Sequence, residues 1–75
     1  MSYSISKNEY QIIQFFQDKA GFQKIEKCAE LLGLTPSALL QSLFRMKNKR
    51  ILQYGVQKSS GLIFVQTNIK IYEAE

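Results

Sequence analysis

An α+β domain of three short helices followed by a C-terminal β-hairpin is the fold class this sequence predicts. Three observations predict it. The chain has 75 residues, which is room for one domain spanning residues 1–75. Apolar residues recur at helical spacing as far as residue 49 and alternate with a period of two beyond Arg50. A turn-forming cluster, Lys58-Ser59-Ser60-Gly61, then divides the alternating part into two strand-length runs. Hydrophobic residues make up 45% of the chain and charged residues 21%, which is globular composition and too apolar for disorder. A domain this small buries only about 60% of its unfolded surface, so its core has to be efficient.

The first helix is expected over residues 7–20. Ser6 and Glu9 have the capping-box spacing, and Tyr10, Ile12, Ile13, Phe15, Phe16 and Ala20 follow at helical intervals, with Gly21 suited to a left-handed helix end. Residues 22–25 form a connector with one or two strand-like residues. The second helix spans about residues 25–32, with Ile25, Cys28 or Ala29, and Leu32 on one face, and Gly33 ends it. Thr35 caps the third helix, about residues 36–49, and Pro36 stands at its first position, where a missing amide costs nothing. Leu39, Leu43 and Met46 share its core face, and basic residues gather in its last turn, complementing the helix dipole. The hairpin is expected over residues 51–67. In the tail, 68–75, residues 68–72 either extend the second strand or form a short one.

Composition excludes several functions. With no histidine and one cysteine, Cys28, the chain lacks a zinc-ligand set, an internal disulfide and the Ser-His and Cys-His nucleophile pairs. Cys28 reads as a small semi-buried apolar residue, and Glu26 and Glu30, four apart, as solvated helix charges rather than a metal site. These exclusions point away from an enzyme and from a cofactor. No apolar run approaches 18 residues, so no membrane helix is expected. The first five residues lack the layout of a secretory signal, and the single cysteine suits a reducing compartment, so a cytoplasmic location is expected.

Charge is placed unevenly. Residues 1–34 carry four basic and four acidic side chains. Residues 35–72 carry six basic ones (Arg45, Lys47, Lys49, Arg50, Lys58 and Lys70) and no carboxylate. The net charge of +4 is therefore concentrated in the C-terminal half. A surface that cannot neutralise its own field attracts polyanions, of which nucleic acid is the commonest inside cells.

Three short helices followed by a hairpin, with Ile25-Glu26-Lys27-Cys28-Ala29-Glu30-Leu31-Leu32-Gly33-Leu34-Thr35 continuing to Ile51-Leu52, resemble a winged helix-turn-helix DNA-binding domain. Ala29 stands where two helices cross, Gly33 makes the tight turn and Leu34 anchors it. The resemblance covers about residues 7–67 and implies a recognition helix over residues 36–49 and a wing over residues 51–67. One feature departs from the pattern. Arg50 occupies the place where a glycine commonly leads into the wing, and Asn48 is the residue expected to take the left-handed turn there instead.

With Leu39, Leu43 and Met46 facing the core, the opposite helix face offers Ser37, Ala38, Gln41, Ser42 and Arg45. Glutamine pairs with adenine, arginine with guanine or a phosphate, and serine suits a phosphate near the helix start. Lys47, Lys49 and Arg50 at the helix end, Lys58, Ser59 and Ser60 at the hairpin tip, and Lys24 before the second helix are candidate backbone contacts. Phe44, beside Arg45 and Lys47, is a candidate for stacking on an unpaired base or for peripheral core.

Leu62-Ile63-Phe64-Val65 is apolar on both strand faces. One face needs cover from residues 3–5, from the tail residues 69–71, from a second copy or from another protein. Self-association as a homodimer is expected through the first helix or the terminal segments. Three functions are open on the sequence: a duplex-DNA-binding transcriptional regulator, a replication or mobile-element accessory that binds DNA, single-stranded included, with little sequence preference, and a protein-docking domain that uses the apolar wing.

Overall fold

The structure is a computed structural model, and it describes residues 5–71. Three helices pack on one side of a three-stranded antiparallel sheet. Helix α1 (Lys7–Phe16) opens with a complete capping box. The Glu9 amide donates to the Ser6 hydroxyl at 3.2 Å, and the Ser6 amide donates to the Glu9 carboxylate at 3.0 Å. Ile12, Ile13 and Phe16 form the buried face. The helix ends there, short of the expected residue 20. Phe16 is its last buried apolar residue, and Asp18, Lys19 and Ala20 are all exposed, so another turn would bury nothing. Gly21 adopts its left-handed conformation outside the helix, in the loop that reverses the chain.

Strand β1 (Gln23–Lys24) leads directly into α2 (Ile25–Leu32), which buries Ile25, Cys28 and Ala29. Gly33, at φ 70°, closes α2. Its amide donates to the Glu30 carbonyl at 3.1 Å, and the Leu34 amide donates to the Ala29 carbonyl at 2.8 Å. This paired pattern is the Schellman turn, which needs one left-handed residue.

Helix α3 (Pro36–Asn48) starts as its sequence requires: the Thr35 hydroxyl accepts from the Ala38 amide at 3.1 Å, and Pro36 occupies the first turn. Leu39, Leu43 and Met46 are wholly buried. The turn that follows differs from expectation. Asn48 remains helical, and Arg50 itself takes the left-handed conformation, at φ 63°. The Arg50 amide donates to the Lys47 carbonyl at 2.9 Å and the Ile51 amide to the Met46 carbonyl at 3.0 Å. Met46 and Ile51 are both wholly buried in the same core, and the Schellman spacing between them fixes the left-handed residue at position 50.

Strands β2 (Leu52–Gln57) and β3 (Leu62–Thr67) form the hairpin, and β1 pairs with the outer edge of β3, giving the order β1-β3-β2. Leu52 faces Thr67 and Gln57 faces Leu62 across the hairpin, while Lys24 faces Leu62 across the other edge. Ile63 and Val65 point into the core. Phe64 lies on the opposite face, and the Phe22 ring covers it in part, with centroids 5.9 Å apart.

No strand forms over residues 68–71, because the segment is fastened by side chains instead. The Gln17 amide group donates to the Ile71 carbonyl at 2.9 Å and accepts from the Ile71 amide at 2.7 Å. Ile5, Ile69 and Ile71 pack partly buried against the core; residues 3, 4 and 72 lie outside the described residues.

Candidate functional site

The exposed side of α3 carries Ser37, Gln41 and Arg45 four residues apart, and all three are exposed, as the helical spacing predicts. Ser42 is half-buried at the margin of this face. Beside them Leu40 is half-buried and Phe44 is 56% exposed. Ser37, Leu40, Gln41, Phe44 and Arg45 line an open groove of about 360 Å³. The lining combines an aromatic ring and an aliphatic side chain with a hydroxyl, an amide and a guanidinium.

The end of α3 and the start of β2 form a second concavity, about 420 Å³, lined by Lys47, Arg50, Leu52, Gln53 and Asn68. The Lys47 ammonium stands 5.8 Å from the centre of the Tyr54 ring. Asn68 fastens the corner: its side-chain amide donates to the Arg50 carbonyl at 3.1 Å and its backbone amide to the Ile51 carbonyl at 2.7 Å.

Lys49 is engaged elsewhere. Its ammonium donates to both Glu9 carboxylate oxygens, at 3.1 and 3.2 Å, and so joins the end of α3 to the start of α1. Burial alone would push the Glu9 carboxyl upward. The Ser6 amide, the Lys49 ammonium and the Ser6 hydroxyl outweigh it and hold the group below its ordinary value. Four further cations of this half, Arg45, Lys47, Arg50 and Lys58, form no ion pair among the described residues.

At the hairpin tip Lys58, Ser59 and Ser60 are exposed. The Ser60 hydroxyl donates to the Gln57 side chain at 2.8 Å, and the Gly61 carbonyl accepts from the Ile25 amide at 2.9 Å. That last bond ties the tip to the start of α2. Lys24, Glu26, Pro36, Leu40 and Ser60 consequently border a single cleft of about 450 Å³. Apart from Lys49, which pairs with Glu9, the expected contacts thus fall into three places: the α3 face, the α3–β2 corner, and the hairpin tip with Lys24.

Gln53 and Asn68 belong to the corner and were not among the residues expected from sequence. Both are neutral, and Asn68 reaches Arg50 across 18 positions of sequence, so no local signal identifies them. Cys28 is buried, and burial pushes its thiol upward against the weaker pull of Lys19, which keeps it protonated and unreactive. No helix among the described residues is long and apolar enough to cross a membrane. The chain matches no family model, no curated protein and no solved structure.

Proposed function

We propose that this protein is a small nucleic-acid-binding module of the winged helix-turn-helix type, with duplex DNA as its favoured ligand and transcriptional regulation as its role. In this reading α2 and α3 are the helix-turn-helix, α3 is the recognition helix, and the β2–β3 hairpin is the wing. Binding itself is the activity, with no catalysis and no cofactor. The observation that carries it is the charge of the described C-terminal half: Arg45, Lys47, Arg50 and Lys58 are exposed, and residues 35–71 contain no carboxylate. The sheet order β1-β3-β2, with a short strand leading into α2, is compatible with the winged arrangement.

One observation favours a second reading, an accessory that binds single strands in replication or in a mobile element. An exposed phenylalanine, Phe44, directly precedes Arg45 and lies three residues before Lys47 on α3, and an exposed aromatic ring beside cations suits stacking on an unpaired base. Titration of the protein with a candidate duplex, a scrambled duplex and a single strand, each at two salt concentrations, tests both readings. Salt-dependent duplex binding with sequence preference is the expected result. Preference for the single strand selects the second reading. Absence of binding to all three overturns both and leaves protein docking, with the exposed Phe22–Phe64 face as the surface.

A further inference from the structure

We infer that the cleft at the α3–β2 corner is a phosphate grip, in which the Arg50 guanidinium and the Lys47 ammonium together hold one phosphate group, and that an arginine occupies a left-handed turn position for this purpose. The inference rests on the nucleic-acid reading and deepens it, since the phosphate it expects is a phosphodiester of the backbone.

The chain contains its own control. The same turn occurs twice, after α2 and after α3, with the same pair of hydrogen bonds: 3.1 and 2.8 Å around Gly33, 2.9 and 3.0 Å around Arg50. Both left-handed residues have nearly the same φ, 70° and 63°. Glycine adopts this conformation without a steric penalty, whereas most side chains with a Cβ are strained by it, asparagine and aspartate least. After α2, where the turn only joins two helices, glycine is present. After α3 the backbone does the same work, so the arginine is there for its side chain.

The side chain has no structural task in view. Arg50 is exposed, so it fills no core, and it forms no ion pair among the described residues. Compensation of the helix dipole is already supplied by Arg45 and Lys47 in the last turn of α3 and by Lys49 at its cap. Strain held at an exposed, charged position is a mark of function.

The surroundings suit an anion. Lys47, Arg50, Gln53 and Asn68 line the cleft with two cations and two amides and no carboxylate. The two bonds from Asn68, to the Arg50 and Ile51 carbonyls, fasten the turn, so the arginine is presented by a fixed backbone. A guanidinium fork and an ammonium lining one cleft match the several acceptor oxygens of a phosphate.

Arg50→Gly and Arg50→Asn in the full chain test the inference, because both residues tolerate the left-handed turn and neither carries charge. Three measurements are made: the thermal midpoint, DNA affinity at two salt concentrations, and amide chemical shifts during titration with inorganic phosphate. Arg50→Gly should raise the midpoint by about 4–8 °C. It should weaken DNA binding about tenfold at low salt and lower the salt slope by about 0.9, the share of one phosphate contact. Phosphate should shift the amides of Arg50, Gln53 and Asn68 in the wild type and leave them unmoved in the variants. DNA binding that is unchanged in both variants overturns the grip and leaves the nucleic-acid reading standing. A lowered midpoint in Arg50→Gly also overturns it, since the arginine would then be serving the fold. Phosphate shifts without any DNA binding keep the grip for a free phosphate and overturn the nucleic-acid reading. Absence of both removes both.

Discussion

Glu9 serves two ends of the molecule with one carboxylate. It accepts from the Ser6 amide that opens α1 and from the Lys49 ammonium that closes α3. The carboxylate is 9% exposed and the lysine 45%, so solvent screens the pair from one side only. Glu9→Ala should lower stability by about 1.5–3 kcal/mol, the range for hydrogen bonds to a charged group. Glu9→Gln keeps an acceptor for the Ser6 amide and should cost less. The folded carboxyl lies below its ordinary value, so its contribution is full above the unfolded value of about 4.3 and is lost as pH falls through the lower folded value. Urea midpoints of wild type and Glu9→Gln should therefore differ by a constant amount from pH 7 to about pH 5 and converge in stronger acid. A difference that stays constant into strong acid would show that the charge on Glu9 contributes nothing. The capping half of this arrangement was legible in the sequence, because Ser6 and Glu9 are three apart. The ion-pair half was not, because Lys49 is 40 residues away and reads locally as one cation among several.

Among the elements, the two Schellman turns separate what backbone demands from what a side chain adds. A Cβ at Gly33 would meet nothing within 4 Å, so the surroundings have room for alanine. The left-handed backbone alone should make Gly33→Ala destabilising, by about 1–2 kcal/mol. For a domain of this size each kcal/mol moves the thermal midpoint by about 4–8 °C. A midpoint within 2 °C of wild type would mean that the turn relaxes out of the left-handed region. The bounds of α2 and the start of α3 were legible, because Gly33, Thr35 and Pro36 announce them within a few residues. The end of α1 was not, since Ala20 and Gly21 continue a plausible helical pattern and only burial stops it at Phe16. The path out of α3 was misread by two positions. Asparagine is the better left-handed residue by propensity, but the buried pair Met46 and Ile51 sets the spacing, and packing outranks propensity there. The tail was legible as apolar and not as fastened, because the Gln17–Ile71 pair joins positions 54 apart.

At the scale of the whole molecule, much of the charge asymmetry read from sequence survives folding: Lys49 is neutralised by Glu9, while Arg45, Lys47, Arg50 and Lys58 are not paired among the described residues. Neutralising Lys47 and Arg50 together should therefore lower the salt slope of duplex binding by about 1.8, two contacts' share. Lys49→Gln should leave the slope nearly unchanged and lower the thermal midpoint instead. The exposed face of α3 was legible at Ser37, Gln41 and Arg45, which follow from the burial of Leu39, Leu43 and Met46, and less so at Ser42, which is half-buried. What sequence could not decide was whether Phe44 belongs to the core, and its exposure now makes the two DNA readings separable. Arg45→Ala in a duplex reader should cost about 1–3 kcal/mol on the preferred site and relax one base position. In a single-strand binder the same substitution should weaken all sequences about equally, whereas Phe44→Ala should cost about 1–3 kcal/mol on single strands alone. Because Phe44 is more than half exposed, Phe44→Ala should leave the thermal midpoint near that of wild type, so a loss of binding is not a loss of fold. Both variants titrated against one set of oligonucleotides give opposite patterns under the two readings. Loss confined to the preferred duplex in Arg45→Ala, with Phe44→Ala unaffected, selects groove reading; the reverse pattern selects stacking on an unpaired base.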